Sequence, residues 1–204
     1  MYKSIVLGRA LINKTTQYVN NYINSDYKNF EKINRDREID HSIYSKVSYF
    51  LYQPTLILDS EHNEKQVKLY IGSAFNAYDY YLLQELDINS IINATAEVSN
   101  YFPDYFDYLN IPINDDNYTS IKDHFSKIET FFYKMISENK GNILIHCYQG
   151  ASRSAAVILF IMTNIMGYNY KDAYNIMIEK REIINLNKIF SEEIKLYIRE
   201  KTLS

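Results

Sequence analysis

The spacing of apolar positions changes near Gln53 and Pro54, which divides the chain into an N-terminal extension, residues 1–53, and a second region, residues 54–204. In the extension, Tyr18, Tyr22, Tyr27, Phe30 and Ile33 recur at near-helical spacing among polar residues, and Ile39, Ile43, Val47, Phe50 and Leu51 repeat the pattern. This predicts two amphipathic helices joined by a charged turn over residues 34–40. Their apolar stripes need a covering surface, either the second region or another subunit.

From Val67 the pattern alternates between strand and helix. Leu69, Tyr70 and Ile71 form a short apolar strand closed by Gly72; residues 77–86 read as a helix with Asn76 as N-cap. Residues 90–93 are a second strand and 108–113 a third, whose Pro112 marks the approach of a loop. A helix follows, with Ser120 as its cap, Ile121, Phe125, Ile128, Phe132 and Met135 on one face, and Gly141 as its stop. Residues 142–146 form a buried strand, succeeded by a loop and an apolar helix ending near Gly167. Two more helices, over 171–181 and 191–201, finish the chain. Such alternation predicts an α/β fold, a central and mostly parallel sheet flanked by helices.

Length and composition fit this picture without adding to it. The 204 residues allow one core and a modest appendage, and 47% apolar with 23% charged residues is ordinary for a globular chain. A net charge of −3 with no Lys/Arg run gives no basic footprint for nucleic acid or an anionic membrane, so neither is expected as a partner. The longest apolar stretch, residues 155–166, is interrupted by Thr163 and Asn164 and falls short of the about 20 residues a membrane span needs. A single cysteine forms no internal disulfide, and the N-terminus lacks a signal-peptide pattern; a cytoplasmic location is the resulting expectation. The 21 tyrosines accompany many Asn, Ile and Lys residues and read as coding bias.

That one cysteine stands where the buried strand turns into a helix N-terminus, in Ile143-Leu-Ile-His-Cys147-Tyr-Gln-Gly150-Ala-Ser-Arg153-Ser154. Unpaired backbone N–H groups and the helix dipole converge on such a turn, favouring a bound anion and a thiolate over a thiol. Gly150 lets successive N–H groups point inward as a nest around a phosphoryl group. Arg153 closes the ring with a planar fork that holds two oxygens at once. His146 alone would be a core residue; beside Cys147 it is expected to orient the loop and help keep the sulfur ionised. Chance is a weak rival, because His146, Cys147, Gly150, Arg153 and Ser154 coincide about once in a few million starts under near-uniform usage.

HCYQGASRS resembles the HCxxGxxRS signature of the dual-specificity protein phosphatase family, within the cysteine-based phosphatases. LYIGSAFNA with INSIINATAE resembles its opening strand, helix and second strand, YLNIPINDD its general-acid loop, and REIINLNKIF its closing RPxxxPNxxF segment. Glu182 and Leu186 replace the two prolines of that last pattern. The resemblance spans about residues 54–200 and marks 54–204 as the catalytic domain. It implies no metal, no cofactor and a phosphocysteine intermediate. It further implies Cys147 as nucleophile, Arg153 and the backbone amides of the loop Tyr148, Gln149, Gly150, Ala151 and Ser152 as phosphate binders, and Ser154 as hydrogen-bond donor to the leaving sulfur. Asp115 is implied as general acid, with Asp116 solvated or capping nearby backbone; by analogy Asn93 holds the phosphate loop in shape. Small poxviral relatives dimerise through an N-terminal helix, which extends to residues 1–53 the expectation of a homodimer.

The implied activity is hydrolysis of phosphate monoesters on phosphotyrosine and phosphoserine or phosphothreonine of a phosphoprotein. Tyrosine-specific relatives carry a WPD acid loop, and this chain has no tryptophan. Phosphoinositide and RNA 5′-phosphatases of the superfamily usually have RT after the loop, and many lipid enzymes add lysines within it. Here Tyr148, Gln149, Ala151 and Ser152 are uncharged. A non-catalytic phosphoprotein-binding module is the remaining alternative, although inactive relatives typically lose the cysteine, the arginine or the acid. No Walker-type or dinucleotide-binding glycine motif occurs, and the four histidines, His41, His62, His124 and His146, are scattered.

Overall fold

The computed structural model describes residues 50–203, so the two expected N-terminal helices lie outside the described residues except at their final turn, residues 50–52. The chain divides into two compact units, Met1–Tyr44 and Ser45–Ser204, and all the described residues belong to the second.

The centre of this unit is a five-stranded sheet in the order β1-β2-β5-β3-β4. The strands are β1 (Thr55–His62), β2 (Lys65–Gly72), β3 (Ser90–Asn93), β4 (Asp107–Asn110) and β5 (Asn142–His146). β2, β5, β3 and β4 run parallel, and β1 closes one edge antiparallel to β2. The helices are α1 (Ala74–Tyr78), α2 (Tyr80–Glu85), α3 (Phe125–Ser137), α4 (Arg153–Phe160), α5 (Tyr170–Lys180) and α6 (Lys188–Leu203).

Side-chain alternation along the strands separates two cores. Leu69, Ile71, Ile92, Ile143 and Ile145 join the larger one, with Phe125, Ile128 and Phe132 of α3, the apolar residues of α4, and Phe190 and Ile194 of α6. Tyr70, Ile91 and Leu144 point the other way, to Ala77 and Leu83 of the α1–α2 face. Every residue of α4 is buried, including Arg153 and Ser154 ahead of its apolar run, residues 155–160. A π-helical turn at Ile161–Ile165 follows it, and Gly167, at φ 78°, ends the run.

Several local features differ from the sequence expectation. β1 is not announced by the sequence pattern; it forms a hairpin with β2 through Asn63 and Glu64, both at positive φ (50° and 61°), the mirror-image turn that matches strand twist. The helix expected over 77–86 is two short ones. Ser73 caps the first in a reciprocal capping box with Asn76, and Asp79 caps the second, so Asn76 is not the N-cap. Ser120 makes no cap either. A 3₁₀ turn at Lys122–His124 precedes α3, and Glu193 of α6 accepts from the backbone N–H groups of Ile121 and Lys122 at 2.8 and 3.2 Å. α3 stops before Asn139, which takes φ 58°, ahead of the expected Gly141.

Candidate active site

β5 ends at His146, and the chain then curls through residues 147–152 into the N-terminus of α4. Because β5 is the middle strand, the loop emerges between the C-terminal ends of β2 and β3, at the edge where these parallel strands all end. A cleft of about 370 Å³ opens at this place, lined by Glu97, Asp115, Cys147, Tyr148, Gln149, Ala151, Ser152 and Arg153.

Four consecutive carbonyls of the loop are held from outside. Ala74 N–H donates to Tyr148 O at 3.2 Å, Arg181 Nη2 to Gln149 O at 3.2 Å, Arg181 Nε to Gly150 O at 2.7 Å, and Asn185 N–H to Ala151 O at 3.1 Å. In a planar trans peptide the carbonyl of one residue and the N–H of the next point in opposite directions. Anchoring those carbonyls outward therefore turns the following amides inward. Gly150 N–H accordingly donates to Cys147 Sγ at 3.2 Å. Gly150 is required twice: its φ is 72°, and a Cβ there would lie 2.6 Å from both Gly72 O and Arg181 Nη2.

Cys147 is buried. Burial pushes its thiol pKa up, but the Ser154 hydroxyl (Oγ to Sγ 3.2 Å), the amides of Ser154 and Ala151 and the Arg153 charge outweigh that, leaving it below its ordinary value. Arg153 is 7% exposed. Its Nη1 is paired with the Glu97 carboxylate at 2.7 Å and donates to Ile113 O at 3.3 Å. Its Nε is buried without a partner. A buried unmade N–H is costly, so this donor is one that a ligand oxygen could satisfy.

Asp115, exposed at the cleft, accepts from the Ser152 hydroxyl at 2.9 Å and from Asn187 Nδ2 at 3.2 Å, both on Oδ1. Asn187 Nδ2 also donates to Asp116 O at 2.8 Å. Asp116 turns away, its Oδ1 accepting from the N–H groups of Tyr118 and Thr119 at 2.9 and 2.7 Å, and these donors lower its pKa.

Two supporting residues act differently from expectation. His146 is buried, and burial first, with Arg153 nearby, brings its pKa down to about 4. It is neutral at physiological pH, so it lends the sulfur no positive charge; its Nδ1 lies 3.4 Å from Cys147 O and orients the loop. Asn93 reaches the β3–β4 loop instead of the phosphate loop: its Nδ2 donates to Val98 O (2.7 Å) and Asn100 Oδ1 (3.1 Å), and its Oδ1 accepts from Thr95 (2.7 Å). It shapes the segment that carries Glu97. The Ser152 hydroxyl donates to Asp115; the phosphate contact expected of this residue is through its backbone amide.

Sequence reasoning assigned no role to Glu97 or Asn187. The available signals were an acid four residues beyond β3 and an Asn in the closing segment; neither says what it touches. Among the described residues, no group of three or more His, Cys, Asp and Glu is placed to hold a metal ion, and no helix is long and apolar enough to cross a membrane.

A mostly parallel α/β sheet that presents a cysteine of lowered pKa beside inward amides and an arginine defines the class of cysteine-based phosphatase domains. Residues 69–200 match the sequence model of the family described as "Dual specificity phosphatase, catalytic domain". The chain belongs to that family. It is 29% identical to mouse Protein phosphatase Slingshot homolog 1 over 199 residues, 96% of this chain and 18% of that protein. It is also 29% identical to Dual specificity protein phosphatase 1-A of Xenopus laevis over 126 residues, 62% of this chain and 34% of the relative. The chain thus spans well under half of either relative. Among solved structures, DUSP15 superposes with a TM-score of 0.63 at 26% identity, covering 73% of this chain and 89% of that one. The human tyrosine phosphatase-like serine/threonine/tyrosine-interacting protein superposes with a TM-score of 0.63 at 24% identity, covering 75% and 99%. The latter likeness shows the fold alone.

Proposed function

We propose that the protein hydrolyses phosphate monoesters on phosphotyrosine and phosphoserine or phosphothreonine residues of proteins, through a phosphocysteine intermediate. The observation that carries this reading is the pairing of a stabilised Cys147 sulfur with the buried, partnerless Nε of Arg153 in one cleft. In the first step the Cys147 thiolate attacks phosphorus, an S–P bond forms, the P–O ester bond breaks, and Asp115 gives its proton to the departing oxygen. In the second, the Asp115 carboxylate takes a proton from water, the water oxygen attacks phosphorus, and the S–P bond breaks to restore the thiolate. Ser154 eases that departure by its hydrogen bond to sulfur. Arg153 and the inward amides hold the three phosphoryl oxygens throughout, where charge is concentrated in both transition states. Glu97 fixes the guanidinium through Nη1 and so leaves its other edge for the substrate.

The cleft supports protein monoesters over polyanionic lipid or RNA substrates because its wall carries the carboxylates Glu97 and Asp115, with Arg153 as the lone cation among the described lining residues. Turnover of para-nitrophenyl phosphate, followed by a side-by-side comparison of phosphotyrosine, phosphothreonine, phosphoinositide and RNA 5′-triphosphate substrates, tests the reading. No turnover of any of them by a chain that binds phosphate would favour the phosphoprotein-binding alternative. A cytoplasmic site of action and a homodimer formed through the N-terminal extension complete the proposal; a monomeric mass by light scattering across a wide concentration range would remove the dimer.

A further inference from the structure

Arg181 follows α5 and has no solvent exposure. A guanidinium carries five N–H donors in a rigid fork, and burying it is costly unless they are used. Here the fork is spent on two separate parts of the chain. Nε and Nη2 donate to Gly150 O (2.7 Å) and Gln149 O (3.2 Å) on the outer side of the phosphate loop. Nη1 donates to Gln53 O and to Thr55 Oγ1, both at 3.1 Å, and Nη2 also donates to Phe50 O at 2.6 Å. The guanidinium carbon stands 5.1 Å from the centre of the Phe50 ring. Burial brings the Arg181 pKa down to about 10, with the Cys147 charge acting against that fall, so the group stays cationic at neutral pH.

Arg181 does not line the cleft, and it touches none of the atoms that would bind a phosphoryl group. Its action is indirect. By drawing the carbonyls of Gln149 and Gly150 outward, it sets the two peptide planes whose N–H groups, those of Gly150 and Ala151, face Cys147. The other half of the same rigid fork is anchored on residues 50–55, where the N-terminal extension runs into β1. The Ser73 hydroxyl donates to Leu51 O at 2.5 Å, and the neighbouring Ala74 N–H holds Tyr148 O, so this segment is linked to the loop a second time, indirectly, through Ser73 and Ala74.

We propose that Arg181 is a positioning residue that transmits the placement of residues 50–55 to the phosphate loop, so that the segment entering β1 tunes how tightly the loop holds a phosphoryl group and a thiolate. The proposal rests on the phosphate-binding reading of the loop given above.

The test uses the full chain with Thr55→Val, which deletes one acceptor while keeping shape and strand propensity, with Phe50→Ala, and with Arg181→Lys, whose point charge cannot span both anchors. Inorganic phosphate affinity by calorimetry and the pH midpoint of Cys147 alkylation by iodoacetate are read beside the melting temperature. Thr55→Val is expected to weaken phosphate binding about threefold and Arg181→Lys about tenfold or more, each with an upward shift of the alkylation midpoint. In the Arg181→Lys background, Thr55→Val should add nothing further, because the two act through one contact. If Arg181→Lys does not fold, the other two variants decide. Folded Thr55→Val and Phe50→Ala proteins with unchanged phosphate affinity and alkylation midpoint, whatever their melting temperature, would overturn the proposal. A wild-type chain that bound no phosphate would overturn instead the reading of the site beneath it.

Discussion

The phosphate loop and the acid-bearing segment after β4 face each other across one cleft and are built in opposite ways. Residues 147–153 sit at the end of the central strand, with Cys147, Gly150, Ser152 and Arg153 buried and successive carbonyls tied down from outside. Asp115 is exposed, in a stretch without regular structure, and its carboxylate is held by two side chains, Ser152 and Asn187. The first region is over-determined by backbone geometry. The second depends on a few polar contacts that a single substitution can remove. In the proposed reaction, a rigid anion cradle would suit a group that must be ready before substrate arrives, whereas an acid that first gives and then takes a proton would need only one carboxylate oxygen held while the other stays free.

The largest expected effect tests the loop. Cys147→Ser should keep the fold and the affinity for inorganic phosphate but lower turnover by about four orders of magnitude or more, since a serine hydroxyl is barely ionised there. Substantial activity in the folded variant would break the covalent half of the comparison. Next comes the acid. Asp115→Asn should slow hydrolysis of a phosphothreonine or phosphotyrosine peptide about 10²- to 10³-fold and affect an activated aryl phosphate far less. Asp116→Asn should stay near wild type in both assays, because its carboxylate caps the turn at Tyr118 and Thr119; the reverse pattern would place the acid one residue later.

A smaller effect sharpens the contrast between the two regions. Asn187→Ala removes the amide that ties Asp115 and the Asp116 carbonyl to the segment before α6, and should cost about tenfold in peptide turnover with phosphate affinity unchanged. Loss of phosphate affinity instead would mean that the loop, too, leans on this contact. The smallest effect on activity, but a measurable one on stability, belongs to His146. Its folded pKa, about 4, lies below its ordinary value of 6.5, so between those pH values the unfolded chain holds a proton that the native one does not. The contribution is present in full above about 6.5 and is lost as pH falls towards 4, on the order of 3 kcal/mol in total. Melting curves from pH 7.5 to 4.5 should show that loss in the wild type and a shallower one in His146→Asn; equal slopes would remove the assignment.

Much of the site is legible in the chain. HCYQGASRS places cysteine, glycine and arginine within seven residues, Cys147 to Arg153, and a strand-to-helix turn converts such local order directly into geometry. β3 and β5 are legible to their observed ends because their apolar runs are short and bounded. β1 escapes because the turn that makes its hairpin is Asn63-Glu64, without the glycine that usually announces it. The start of α3 misleads because its first N–H groups are satisfied by Glu193, about 70 residues later, which no local pattern reports.

The sequence by itself determined the alternation of strands and helices from β2 onward, the position of the lone cysteine ahead of a helix N-terminus, and the six-residue spacing from Cys147 to Arg153. These follow from short-range periodicity and from contacts within one turn of chain. Only the tertiary structure decided that Glu97 pairs with Arg153, that Asn93 serves the Glu97 loop, that Ser152 and Asn187 aim Asp115, and that His146 is neutral. It also put Arg181 behind the phosphate loop. Each of these is a polar contact between segments far apart in the chain, or a burial effect set by neighbours the local sequence does not name; such interactions exist only once the sheet has brought its strand ends together.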